Sequence, residues 1–314
     1  MSHSSNNLAR RMGGLSHRWL PFADAATVDL TLPRLWRLSL FQLSTGMAIV
    51  LLTGTLNRVM VVELGQGTSL VSLMLAIPLL LAPARALIGY RSDHHRSYLG
   101  WRRIPYLWSG TLMQFGGLAF MPFALILMIE PHSGPPIIGP IAAMGSFLLT
   151  GLGMHVSQTA GLALATDLAT EETRPRVVAL LYLMLLVGMI SSAVIFAALL
   201  DDFSYVRLIQ VIQSAAVITL ILNVAAMWKQ EVRYPELTDH ERERPTFGSA
   251  WGEFINLPKA RRLLWALGLG TMGFTMQDIL LEPYGAHVLG LSVSETTLLT
   301  AVFAGGMVLA LLMT

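Results

Sequence analysis

Two carboxylates, Asp278 and Glu282, lie in the apolar run Met276-Gln277-Asp278-Ile279-Leu280-Leu281-Glu282-Pro283-Tyr284-Gly285. Four residues apart on a helix, they share one face. In hydrocarbon an ionised carboxylate is costly, so such groups face protein or a water-filled cavity and need partners. The chemistry open to them is ion pairing, gating, or taking up and releasing a proton. Arg58 lies at a matching place in a second segment, Leu56-Asn57-Arg58-Val59-Met60-Val61-Val62-Glu63-Leu64-Gly65. Aligned without gaps, Asn57 meets Gln277, Arg58 meets Asp278, and both segments end on glycine. The echo predicts an intramembrane charge gate, Arg58 with Asp278 or with Glu282, at the outer side of a cavity. The competing reading is independent snorkelling of each charge to the outer surface. Pro283 has no N–H, so it frees the carbonyl one turn back, at Ile279.

The elements that must position these groups follow from composition. The chain is 54% hydrophobic and 13% charged, with a mean hydropathy of +0.60. Soluble domains carry roughly 25% charged residues, so this is an all-α membrane protein. With no cysteine, disulfides, thiolate metal sites and cysteine nucleophiles are excluded. Residues 1–30 are polar and basic without an apolar core, which reads as a cytoplasmic leader and not a signal peptide.

A crossing helix needs about 20 mostly apolar residues. Eight candidates are visible: Trp36–Val62, Leu70–Tyr90, Ile104–Ile129, Ile137–Leu164, Val177–Leu200, Val206–Trp228, Leu263–His287 and Thr296–Met313. The last run reaches the final residue, which suggests that a longer chain has been cut. Arginines and lysines gather in the N-terminus and after the second, fourth and sixth spans, which places the N-terminus in the cytoplasm. Arg58 and Arg207 sit at span ends on the other side. The layout is an N-terminal segment 1–35, a six-helix bundle 36–228, a charged linker 229–262 and the start of a second bundle 263–314. Two six-helix halves related as repeats are a transporter plan. Within the linker, Phe247–Leu257 has the pattern of a short amphipathic helix, against the plainer reading of an ordinary loop helix.

Three further patterns stand out in the sequence. Gly89, Asp93 and Arg96, followed by Arg102 and Arg103, resemble the cytoplasmic loop signature of the major facilitator superfamily. Gly89 would allow close helix approach, Asp93 would cap or bridge, and the arginines would anchor at headgroups. The connector Asp167 to Arg176 predicts a helix start with Thr170 as cap and acidic residues in the first turn. Gly268-Leu269-Gly270-Thr271-Met272-Gly273 fits a dinucleotide fingerprint, but it lies within a span and lacks a βαβ setting. It reads instead as a helix-packing face. No nucleophile–base pair, metal-ligand cluster or nucleic-acid-binding pattern appears, so the chain is read as neither an enzyme nor a nucleic-acid partner.

Longer stretches carry a closer resemblance. "LTLPRLWRLSLFQLSTGMAIVLLTGTLNRVMVVELG", "RALIGYRSDHHRSYLGWRRIPYLWSGTLMQFGGLAFMPFALI", "GMHVSQTAGLALATDLA" and "MQDILLEPYG" resemble the PucC/LhaA family. This is the bacteriochlorophyll-delivery branch of the major facilitator superfamily in phototrophic bacteria. The resemblance runs from about Leu30 to the last residue. It implies a twelve-helix fold of which eight helices are present. It also implies a place in the cytoplasmic or intracytoplasmic photosynthetic membrane. The function implied is assembly of light-harvesting antennae, the core antenna LH1 ahead of the peripheral LH2, with bacteriochlorophyll bound or delivered. Antenna polypeptides are the implied partners, with the reaction centre, bacteriochlorophyll synthase and membrane lipids beside them. A carotenoid or a lipid is a second kind of ligand it would admit.

His155 lies mid-span in Gly151-Leu152-Gly153-Met154-His155-Val156-Ser157-Gln158. An imidazole nitrogen suits the magnesium of a chlorophyll-type macrocycle, and flanking glycines would let a flat ring approach. His155 and Gln158 are therefore the pigment-binding candidates. The bland alternative is a histidine hydrogen-bonded to a neighbouring helix. Two other functions compete: a proton-coupled secondary transporter using Asp278 or Glu282, and a pigment-free assembly scaffold.

Overall fold

The computed structural model describes residues 30–97, 99–129, 134–232, 238 and 245–313. The expectations for the leader 1–29 and for the charged stretch 241–244 lie outside these residues. Apolar runs fold as helices because a helix satisfies its own backbone groups where no water is available. The helices are α1 Leu32–Glu63, α2 Thr68–Asp93, α3 Ile104–Ile129, α4 Ile138–Leu168, α5 Arg174–Leu199, α6 Tyr205–Met227, α7 Phe247–Ile255, α8 Ala260–Leu289 and α9 Val293–Met313. No strand occurs among the described residues.

Seven of these helices, α1 to α6 and α9, are long and apolar enough to cross a membrane. The chain is thus a multi-pass membrane protein. Eight such helices were expected. The eighth, α8, has 30 residues, about 45 Å at 1.5 Å per residue, which is ample length. Its apolar character is diluted by Gln277, Asp278, Glu282 and His287, so composition alone does not qualify it. The polar groups that make this segment interesting are the ones that weaken its hydropathy.

Helix α1 is the central element. Of its apolar stretch 83% is buried, against 22% for α2. It packs on α5 and α6, while α3 packs along α4. Backbones come close where small residues meet. A Cβ on Gly46 of α1 would lie 2.3 Å from the Leu185 carbonyl oxygen, and one on Gly188 of α5 would lie 2.4 Å from that of Leu43. Two glycines thus face opposite backbones across one crossing. Helix α9 docks on α5 and on α1, and α8 reaches α1 and α9 near its C-terminal end.

Three departures from regular α geometry matter below. Val50–Leu56 and Val59–Glu63 of α1 are π-helical, a rare geometry that is frequent at functional sites. Helix α2 is broken by a turn at Leu81–Pro83, just beyond Pro78. The short helix read within the linker at Phe247–Leu257 forms as α7, Phe247–Ile255. Thr246 caps it by accepting from Ser249 N at 3.3 Å. The expected start of α5 is corrected: the helix begins at Arg174, after Glu171 and Glu172, and Thr173 occupies the cap position. Thr170 contributes its carbonyl to Arg174 N, not a side-chain cap.

Candidate functional site

The centre of the molecule holds a cavity of about 240 Å³ lined from α1, α2, α4 and α8. His155, Gln158 and Asp278 all line it, beside apolar Leu52, Leu75, Phe147 and Ile279. The sequence treated the histidine and the carboxylate as parts of separate sites, and the fold brings them to one cavity. Asp278 is half-buried and makes no hydrogen bond or ion pair among the described residues.

Helix geometry around Pro78 sets the state of His155. At the break in α2, Ala82 N bonds to Leu79 O, and the Pro78 carbonyl accepts from Leu81 N at 3.2 Å. The Pro78 carbonyl lies 2.9 Å from His155 Nε2. A carbonyl only accepts, so Nε2 donates in this bond, and in the neutral ring Nδ1 would then be the nitrogen with the lone pair. Nδ1 is buried and has no hydrogen-bond partner. Thr159, one turn on, accepts from Arg85 Nε at 3.1 Å and donates to the His155 carbonyl at 2.7 Å. Gln158 Nε2 donates to Gln42 Oε1 at 3.3 Å, tying α4 to α1.

The glycines beside His155 do not offer a face to a ring. A Cβ on Gly151 would sit 2.3 Å from Pro78 Cβ, and one on Gly153 would sit 2.5 Å from Gln114 N. Both faces are filled by neighbouring helices. In contrast, Gly268, Gly270 and Gly273 of α8 would meet nothing within 4 Å. Among the described residues nothing packs against them, while Gly151, Gly153 and Gly188 do pack closely.

The charge gate takes a different form from the one the sequence suggested. Arg58 pairs with Glu63 at 2.5 Å, and its second nitrogen donates to the Leu291 carbonyl at 3.3 Å. Neither Asp278 nor Glu282 forms an ion pair with Arg58. The physical reason is local: residues five apart stack on one side of a π-helix, and Val59–Glu63 is one. Glu282 is fully buried, at 1% exposure. Its Oε1 accepts from Thr300 Oγ1 of α9 at 2.7 Å, while Oε2 has no partner. Gly54 of α1 makes the room, since a Cβ there would lie 2.2 Å from Glu282 Oε1. Three helices thus meet on one carboxyl group.

Asn57 completes this junction. Its amide donates to the Thr53 carbonyl at 3.1 Å and to the Ile279 carbonyl at 2.8 Å. The latter is the carbonyl that Pro283 leaves without an N–H. Asn57, Gly54, Thr300 and Pro78 were not identified as site residues from the sequence. A polar asparagine inside an apolar run was the available signal for the first. Nothing in a sequence marks a glycine that faces a carboxylate.

The loop motif forms a cluster at the arginine-rich end. Arg103 is buried and pairs with Asp93, with Asp167 at 3.1 Å and with Ser92 Oγ at 2.7 Å. Arg102 lies 3.6 Å from Asp167. Glu231, at the start of the linker, accepts from the backbone N–H groups of Arg102, Arg103 and Ile104 at 2.7 to 3.0 Å. These are the unpaired donors that open α3, and a carboxylate is the favoured group there. Arg96 is exposed and outside the cluster. Gly89 has only an ordinary contact, 3.6 Å from a built Cβ to Thr159, so the close approach expected of it is not made.

Comparison with known proteins decides the family. The model of the PUCC protein family matches residues 55–314. This chain belongs to that family. It is 55% identical over 317 residues to Protein PucC of Rhodovulum sulfidophilum, covering 98% of this chain and 69% of that one. It is 57% identical over 303 residues to an uncharacterized protein in the puhA-bchM intergenic region of Rhodobacter capsulatus, covering 95% and 63%. A more distant relative is the bacteriochlorophyll synthase 44.5 kDa chain of Rhodobacter capsulatus, 28% identical over 288 residues, covering 89% and 63%. The chain therefore spans about two thirds of the length of these PUCC relatives. No solved structure matches. The family match covers most of the central cavity lining and the whole α1–α8–α9 junction from Thr55 onward.

Proposed function

We propose that this chain is an assembly factor for bacterial light-harvesting antennae, with the core antenna as client ahead of the peripheral one. In this proposal it binds bacteriochlorophyll and passes it to antenna polypeptides within the membrane. The reading is carried by membership of the PUCC family. The architecture proposed is the major facilitator plan, with α1–α6 as one half and α8–α9 opening the second. The arginine-rich end and the N-terminus are placed in the cytoplasm, and the membrane is the inner or photosynthetic one. Antenna polypeptides, the reaction centre, bacteriochlorophyll synthase and lipids are the proposed contacts. No catalysis is proposed.

The donor atom at His155 suits a bacteriochlorophyll magnesium in kind: an imidazole Nδ1 that has no hydrogen-bond partner. The space does not suit it. A cavity of 240 Å³ is below the roughly 300–1,000 Å³ of pockets that enclose drug-sized ligands, and Pro78 fills the Gly151 face. No ligation step is therefore routed through His155 in this conformation. The cavity would take a hydrocarbon tail, from pigment, carotenoid or lipid, against its apolar walls.

An absorption spectrum of the full-length protein, gently purified with its partners, tests the reading. Near-infrared bacteriochlorophyll bands at fixed stoichiometry are expected. Their loss in a folded His155→Ala protein would reinstate ligation through a widened cavity. Antenna polypeptides without pigment on this protein would make it a scaffold. Which antenna is depleted in a deletion strain reads the client.

One arrangement favours a second reading, a proton-coupled transporter. Asp278 faces the central cavity without a partner, and Glu282 one turn away is buried with a free oxygen. Proton-linked uptake into vesicles, with neither pigment nor antenna polypeptide bound, would establish it in place of the first.

A further inference from the structure

Arg58 and Glu282 each hold one buried polar atom that makes no hydrogen bond among the described residues: Nε of the arginine and Oε2 of the glutamate. The two side chains are neighbours. Glu282 Oε1 lies against Gly54, four residues before Arg58 on α1. Arg58 donates to the Leu291 carbonyl, and Leu291 N donates to the carbonyl of Gly285, three residues past Glu282. Arg58 is 4% exposed and Glu282 1%. Both are sealed by this chain itself, so further chain beyond residue 314 has no access to either atom.

The pairing serves the carboxylate that needs it less. Arg58 is bound to Glu63, whose side chain is 31% exposed. Solvent can serve a carboxylate at that exposure, and such a pair is worth little. A sealed carboxylate gains more from a cation, because the attraction is screened less there. No other charged group around the junction offers Glu282 a cation. Asp278 is an acid that faces the central cavity. Glu295 is exposed and closes on Ser292 N at 2.8 Å, and His287 is exposed beyond Gly285. The backbone allows Arg58 to turn. Asn57 and Arg58 are the two residues between the π-helical stretches of α1, where the hydrogen-bond ladder is least regular.

We propose that Arg58 is a two-position latch between α1 and the α8–α9 turn. On Glu63 it holds the turn through the Leu291 carbonyl. On Glu282 it satisfies both orphaned atoms, gives up that carbonyl and lets the turn move away from α1. The end of α8 then shifts, and α8 also carries Asp278 and Ile279 of the cavity lining, so the latch ties the cavity to the far end of the bundle. The inference concerns this junction and not the cargo, so it stands apart from the antenna reading. The absorption spectrum tests the cargo, and the experiment below tests the latch.

The 314 residues contain no cysteine. Spin labels on cysteines placed at exposed Ser69, at the start of α2, and exposed Leu289, at the end of α8, report the separation of the turn from α1 in the full-length protein in lipid vesicles. Glu63→Gln, which keeps the side chain's shape, should raise the share of the wider separation about fivefold. Adding Glu282→Gln should return the distribution to that of the labelled parent, because the second position of Arg58 is then gone. A distribution that Glu63→Gln leaves unchanged would overturn the proposal. So would widening that persists in the double variant, since the turn would then be loosened by loss of Glu63 alone and not by capture of Arg58.

Discussion

The side-chain amide of Asn57 donates to the backbone carbonyl of Ile279 at 2.8 Å, across the contact between α1 and α8. The bond exists because Pro283 supplies no N–H to that carbonyl. A defect in one helix is thus repaired by a side chain of another, which latches the two together.

Replacing Asn57 by alanine should destabilise the protein by about 1–3 kcal/mol, the cost of leaving a buried acceptor unpaired. Thermal unfolding in detergent measures it. In a Pro283→Ala background the new N–H serves Ile279, so the same substitution should cost clearly less. Equal costs in the two backgrounds would show that the Asn57 bond is not a repair of the proline defect.

Gly54 predicts a steric coupling. Gly54→Ala puts a methyl group 2.2 Å from the present position of Glu282 Oε1, so α1 and α8 must separate or the carboxyl must leave Thr300. A loss of about 1–3 kcal/mol is expected, in the range of overpacked cores. Combining it with Glu282→Ala should cost less than the sum of the two. Strict additivity in unfolding measurements would refute the contact.

The pairing of Arg58 predicts which charge swap works. Arg58→Glu alone should lower the folded yield in the membrane. Adding Glu63→Arg should restore much of it, while adding Asp278→Arg should not. Rescue by Asp278→Arg instead would favour the gate expected from the aligned segments.

At the arginine-rich end, Glu231→Ala removes a carboxylate that accepts from three backbone N–H groups at the start of α3. A loss of about 1–2 kcal/mol is expected, as for a helix cap. Glu231→Gln, which keeps one carbonyl acceptor, should lose less. Amide exchange at Arg102 to Ile104 should quicken in both, more in the alanine variant.

Much of this junction was legible in the sequence, and its limits have a physical cause. Two carboxylates in an apolar run marked the right helix, Pro283 marked the freed carbonyl, and the aligned segments marked the right region of α1. The partners were not legible. Arg58 finds Glu63 because α1 is π-helical there, and side-chain periodicity assumes 3.6 residues per turn. His155 and Asp278 line one cavity because four helices converge, and single-helix patterns carry no record of that. The seventh expected span forms as a 30-residue helix, but its polar residues keep it outside the set that is apolar enough to cross a membrane.

The π-helical turns of α1 behave as an inserted residue would. Remove one residue between Val50 and Glu63 and the ladder can close as ordinary α-helix. The helix beyond the wide turns keeps its face, because an i→i+5 turn holds one residue more than an α-helical one, but residues within the turns change their bearing. Gly54 and Asn57 could no longer both face α8, although every remaining residue keeps its chemistry. Chain length in this stretch, and not only its residue types, is what holds α8 in place.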